Sequence, residues 1–117
     1  MSKVLTRLLI NTLAVLISAY LLSGVHVANA TAAVLVALVL AILNTFIKPL
    51  LIVLTIPITI LTLGLFLLVI NIVIIMWTAT LVSGFTVDGW GWALLFSLLL
   101  ALVSALLESI LGTKEKT

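Results

Sequence analysis

TLGLFLLVINIVIIMWTATLVSGFTVDGWGWALLFSLLLALVSALLESIL, residues 62–111, decides the fold. Two apolar runs, Thr62–Val82 and Trp90–Leu111, flank a short turn, and Asp88 and Glu108 are the only charges in these 50 residues. A helix rises about 1.5 Å per residue, so runs of this length reach across a hydrocarbon core of about 30 Å. Unpaired backbone groups are very costly in lipid, which makes the runs helices. Barrel strands would be short and alternating instead. The stretch reads as a membrane hairpin.

Working outward, Leu5–Leu22 and Thr31–Ile47 form two further apolar runs. Of the chain's 117 residues, 66% are hydrophobic and 7% charged, and the mean hydropathy is +1.61. A soluble domain keeps roughly a quarter of its residues charged, so lipid must be the solvent for most of this chain. The reading is an all-α integral membrane protein of four transmembrane helices, one membrane domain over 1–117, with the lipid bilayer as its main partner. A net charge of +2 gives no support for nucleic-acid binding. Without cysteine there is no disulfide, thiolate metal site or Cys nucleophile. Lys3, Arg7, the run Leu8–Leu22 and Ala28-Asn29-Ala30 together resemble a cleavable signal peptide. The same pattern recurs internally, where no peptidase would act, so retention is expected.

The connections differ in kind. Ser23–Ala30 and Ser83–Gly89 are short, contain Gly24, Gly84 and Gly89, and read as tight polar turns. Lys48–Leu61 is apolar and holds both prolines, Pro49 and Pro57. Each proline removes a backbone donor and tends to kink or break a helix. The segment is too short for another straight span. It is expected to be a Pro-containing half-helix, as an interfacial or re-entrant piece or as a kinked extension of helix 2. Thr55, Thr59 and Thr62 would form a hydroxyl stripe on it, either satisfying carbonyls freed by the kink or lining a polar pathway.

Basic residues set the orientation. Lys3, Arg7, Lys48, Lys114 and Lys116 lie at the N-terminus, the central connection and the C-terminal tail 112–117, and the two short turns contain none. An even number of crossings between those places puts both termini and Lys48 in the cytoplasm, with the chain in a bacterial cytoplasmic membrane. Tyr20, Trp77, Trp90 and Trp92 fall near the opposite ends of their helices, as an interfacial belt would.

An offset of 60 exposes an internal repeat. Between 5–51 and 65–111, 15 of 47 positions are identical, among them Asn11 with Asn71, Ser23 with Ser83 and Gly24 with Gly84. The chain reads as a duplicated helical hairpin whose copies share one topology, as in parallel-repeat transporters. Helix 2 carries Ala33, Ala37, Ala41 and Thr45, four apart each time; helix 4 carries Ala93, Ser97, Ala101 and Ala105 at the equivalent places. Small residues at this spacing let helix backbones approach closely. Helices 2 and 4 are expected to pack on each other, or on another subunit of a homo-oligomer.

Few polar groups remain. Asn11 and Asn71 occupy matching places on helices 1 and 3, as interhelical hydrogen-bonding groups or as pore lining; Asn44 lies one turn before Lys48 and fits the same bonding role. Lys48 and Glu108 are equivalent in the repeat, and ionisable residues near a span are functional candidates. An interfacial Lys48–Glu108 ion pair is the plainer expectation. His26 and Asp88 sit in the two outer turns as solvated residues, neither with a partner at metal-ligand spacing. No catalytic set, cofactor motif or metal site is read from the sequence, so no enzymatic role is expected.

The run from Leu43 to Val82, followed by SGFTVDGWGWALL, resembles the bacterial YvlD-like family through LN..IKP, LT.P.T.LTLGLF, VIN and the GF.V turn. Members of that family are grouped as four-transmembrane phage-holin-like proteins of holin superfamily IV. The resemblance marks Asn44, Lys48, Pro49, Pro57, Gly64, Asn71 and Gly84 as motif positions and assigns none a chemical role. It implies a small holin-like protein that self-associates and permeabilises the cytoplasmic membrane. A non-lytic oligomeric scaffold or envelope-stress component is the alternative, and a small transporter the third reading.

Overall fold

In the computed structural model, residues 2–111 are described. The C-terminal tail 112–117, with the basic residues Lys114 and Lys116 used for orientation, lies outside them. Helix α1 runs Ser2–Leu21, strand β1 Val25–Val27 and α2 Ala30–Ile42. A π turn over Leu43–Ile47 leads into α3, Lys48–Leu54, followed by α4, Ile56–Leu61, and α5, Phe66–Leu81. Strand β2, Phe85–Val87, and helix α6, Trp90–Leu111, complete the order.

Three helices are long and apolar enough to span a bilayer: Lys3–Leu21, Ala30–Leu54 and Trp90–Ile110. The apolar α5 has 16 residues, about 24 Å at 1.5 Å each, and the apolar Leu63 and Leu65 before it are exposed. This mostly helical arrangement is consistent with a four-span membrane protein. Its outer surface carries leucine, isoleucine and valine on every long helix, and Tyr20, Trp77 and Trp90 are exposed as well. Without lipid such a surface would aggregate.

After α2 the chain passes through the π turn into α3 and then into the separate short helix α4. At the π turn the Lys48 N–H bonds the Leu43 carbonyl, five residues back. In an unbroken α-helix the Pro49 ring would meet the carbonyl four residues back, and the wider turn relieves that conflict. Pro49 and Pro57 both sit in the first turn of their helices, where a missing N–H costs least. Thr55 Oγ1 donates to the Leu51 carbonyl at 2.7 Å, and Thr62 Oγ1 donates to the Thr59 carbonyl and accepts the Phe66 N–H at 3.1 Å. The chain then reverses through Leu63 (φ 57°) and Gly64 (φ 91°). Left-handed backbone suits glycine but costs leucine, which places the third helix's start at Phe66 rather than at Thr62.

The two outer connections are not simple turns. β1 and β2 pair antiparallel, Val25 opposite Val87, His26 opposite Thr86 and Val27 opposite Phe85. Two further bonds extend the ribbon: the Ala28 N–H donates to the Gly84 carbonyl and the Asp88 N–H to the Gly24 carbonyl, both at 2.8 Å. These two bonds exchange under the offset of 60, as do Leu22 to Ser18 with Val82 to Thr78, and Ala33 to Asn29 with Ala93 to Gly89. The all-α expectation is therefore corrected by one small ribbon. Each strand is three residues long, too short for alternation to signal, and its partner lies about 60 residues away.

In the bundle α1 lies against α2 and α6, and α5 against α6 and α2. The expected packing of helix 2 on helix 4 is not observed. The reason is that α2 and α6 each find neighbours in α1 and α5, whose side chains fill the contact; Val15 and Ile74 are among the buried residues there. Ala33 and Ala93 are fully buried in these contacts and Ala37 nearly so, but Ala41 and Ala101 are exposed. The ridge is half contact and half rim.

Candidate functional site: a polar cavity within the bundle

Hydroxyls within the helices bond mostly to their own backbone. Thr12 Oγ1 donates to the Leu8 carbonyl at 2.7 Å, Thr78 Oγ1 to Ile74 at 2.8 Å, and Ser97 Oγ to Leu94 at 2.9 Å. This is the usual way for a helix in lipid to satisfy a hydroxyl. Ser18 Oγ and Thr59 Oγ1 are buried without a partner. Of the four asparagines, Asn29 caps α2 and the other three gather elsewhere.

Asn11, Asn44, Asn71, Lys48, Ser97 and Ser104 line one cavity of about 280 Å³, walled by Val15, Leu40, Ile74, Ile75 and Leu100 among others. Asn11 on α1 and Asn71 on α5 each stand ten residues from the helix end next to the ribbon, about 15 Å at 1.5 Å per residue and so about half the thickness of a 30 Å core. Ser104 Oγ donates to Asn11 Oδ1 at 3.4 Å, which ties α6 to α1. Asn44 is held by the π turn and Lys48 follows it as the first residue of α3. By the same rise Lys48 lies about 27 Å from the start of α2, near the opposite face. The cavity thus runs from the level of Asn11 and Asn71 towards the side carrying the N-terminus.

The sequence-derived residues separate on this geometry. Asn11, Asn44, Asn71 and Lys48 are brought together, with Ala37, Ala41, Ser97 and Ala101 of the two ridges also lining the space. Glu108 does not line the cavity, and among the described residues no ion pair joins it to Lys48. The expected pair fails because α3 lies against α5 rather than α6. Thr55, Thr59 and Thr62 stay in the elbow around α4 and are not among the residues lining this cavity. Ser104 escaped sequence reasoning, although it occupies the place of Asn44 in the repeat and that correspondence could have found it. His26 and Asp88 are not isolated turn residues: Nε2 approaches the carboxylate at 3.4 Å across the ribbon, with both side chains half-exposed. No group of three or more His, Cys, Asp or Glu residues gathers among the described residues.

The arrangement is a helical bundle with an aliphatic outer surface and a cavity lined by both polar and apolar side chains. The chain is 38% identical over 109 residues to the "uncharacterized membrane protein YvlD" of Bacillus subtilis, covering 92% of each chain. It is 40% identical over 82 residues to the "uncharacterized protein SCO3922" of Streptomyces coelicolor, covering 67% of this chain and 66% of that one. No solved structure matches. A family profile described as "Mycobacterial 4 TMS phage holin, superfamily IV" matches residues 2–106, and the chain belongs to that four-span holin family.

Proposed function

We propose that the chain is a non-enzymatic, holin-like protein that self-associates in the bacterial cytoplasmic membrane and permeabilises it. The observation that carries this reading is the cavity that gathers Asn11, Asn44, Asn71 and Lys48 inside a bundle otherwise clothed in aliphatic side chains. Polar groups inside a membrane are costly and tend to mark pathways. In a single subunit no path continues outward, because the buried Phe85 and Phe96 rings, 5.4 Å apart, fill the bundle below the ribbon. Permeation therefore needs several subunits whose cavity mouths combine. An all-apolar lumen dewets, and Asn11, Asn44 and Asn71 supply the polarity that keeps one wet.

The same proposal includes a duplicated hairpin with a twofold axis through the His26–Thr86 pair, supported by the ribbon register and the hydrogen bonds recurring at an offset of 60. Both termini and Lys48 face the cytoplasm, with the proline segment 48–61 at that face. The exposed Leu50, Val53, Leu54, Ile60 and Leu61 support its contact with lipid.

Dye release from liposomes tests the function. Purified protein should release a small trapped dye with a steep dependence on protein-to-lipid ratio, and Asn11→Leu with Asn71→Leu should reduce the release at equal helical content. Folded oligomers that leave the dye trapped at every ratio would refute permeabilisation and leave a scaffold role.

A further inference from the structure

The cavity contains one formal charge. Lys48 is half-buried at its inner end, and among the described residues no hydrogen bond or ion pair engages its ammonium. No carboxylate lines the space. The two serine hydroxyls donate to the Leu94 carbonyl and to Asn11 Oδ1. Asn44 and Asn71 make no side-chain hydrogen bond among the described residues. Free donors and a lone cation thus share one space whose walls are otherwise apolar. In a low-dielectric setting that combination attracts negative charge strongly and repels cations.

Size and position narrow the ligand. A volume of about 280 Å³ falls just below the range of small-molecule pockets, roughly 300–1,000 Å³, and suits a tetrahedral oxyanion with some water. Lys48 and Asn44 are one helical turn apart, near the membrane face where inner-leaflet phosphates lie. The mouth is rimmed by exposed Ala41, Asn44, Leu98 and Ala101, open to acyl chains. Basic pockets between helices on the cytoplasmic side are suited to phosphate head groups.

We propose that this cavity binds a phosphate-type oxyanion, with the Lys48 ammonium as its charge partner and the Asn44 and Asn71 amides as donors. The ligand is free inorganic phosphate or the phosphate of an anionic lipid. Binding needs one subunit only, so it stands apart from any pore.

The test uses full-length protein, freed of lipid, in a neutral maltoside detergent at constant ionic strength. Inorganic phosphate, phosphatidylglycerol and phosphatidylcholine are titrated in separate arms, read by thermal midpoint and by native mass spectrometry. A midpoint rise with phosphate supports the free ion. A rise with phosphatidylglycerol but not phosphatidylcholine supports the lipid head group. Lys48→Met should weaken either effect about tenfold or more, as loss of a charge-assisted contact does, whereas Lys48→Arg should retain it. Arg7→Met removes a positive charge from an exposed position near the start of α1, outside the cavity lining, and should leave binding unchanged. The site is overturned if neither probe acts, if Lys48→Met binds like the parent, or if Arg7→Met weakens binding equally. Should Lys48→Met not fold, Asn44→Leu on the exposed rim takes its place, and undiminished binding there overturns the site as well.

Discussion

Gly84→Ala is the sharpest test of how the ribbon is seated on the bundle. A methyl group at Gly84 would stand 2.7 Å from the Ala32 Cβ and 3.3 Å from the Ala28 Cβ. Carbon atoms prefer about 3.5–4.0 Å, so the nearer contact is about 1 Å too short. Neither neighbour has a rotamer with which to escape, because each Cβ is fixed directly to backbone. Gly84 is not among the residues with positive φ, so the alanine brings no backbone strain and the cost is steric alone. Overpacking of this kind costs about 1–3 kcal/mol. Relief requires β2 to withdraw from the first turn of α2, which also strains the 2.8 Å bond from the Ala28 N–H to the Gly84 carbonyl. Ala32→Gly removes the obstructing methyl at about 0.5–1 kcal/mol by itself. The double variant should then be about as stable as Ala32→Gly alone, a coupling of about 1–3 kcal/mol. Unfolding by increasing SDS fraction in mixed micelles, followed by far-UV circular dichroism, measures all four corners of the cycle. Additive losses within about 0.5 kcal/mol would mean that the ribbon does not rest on α2, and the reasoning would fail.

Ala33→Leu, at a fully buried position outside the cavity, should cost about 1–3 kcal/mol, while Ala101→Leu on the exposed rim should stay within about 0.5 kcal/mol; the same unfolding assay compares them, and equal losses would contradict the half-contact ridge. Asn29 Oδ1 accepts the Ala32 N–H at 2.8 Å and caps α2, so Asn29→Ala should cost about 1 kcal/mol in that assay. For topology, single cysteines at Ser23 and Ser83 should react with a membrane-impermeant thiol reagent in intact cells, and one at Ser2 only after lysis. Labelling of 23 and 83 from opposite sides would overturn the even-crossing arrangement.

Much of the architecture was legible because membrane folding depends on composition. Long apolar runs with few charges cannot be anything but helices in lipid, and Ser-Gly pairs at 23–24 and 83–84 mark where they turn back. The correspondence of Asn11 with Asn71 marked two polar groups too costly to face lipid and left open whether they bond a neighbouring helix or line a space. What lay beyond reach was long-range pairing. Three-residue strands give too little alternation to announce the ribbon, and a ridge of small residues says that a helix packs closely without saying on which neighbour.

By itself the sequence determined that the chain lies in a membrane, that its long apolar runs are helices, and which side chains are too polar to face lipid, because each follows from the cost of transferring that residue or run into hydrocarbon. Only the tertiary structure decided the partners. It placed α1 and α5 between α2 and α6, paired β1 with β2, left the Lys48 ammonium without Glu108, and gathered Asn11, Asn44, Asn71 and Ser104 around one space. Transfer free energy is a sum over residues, whereas neighbour choice depends on how closely particular surfaces fit, which no single residue carries.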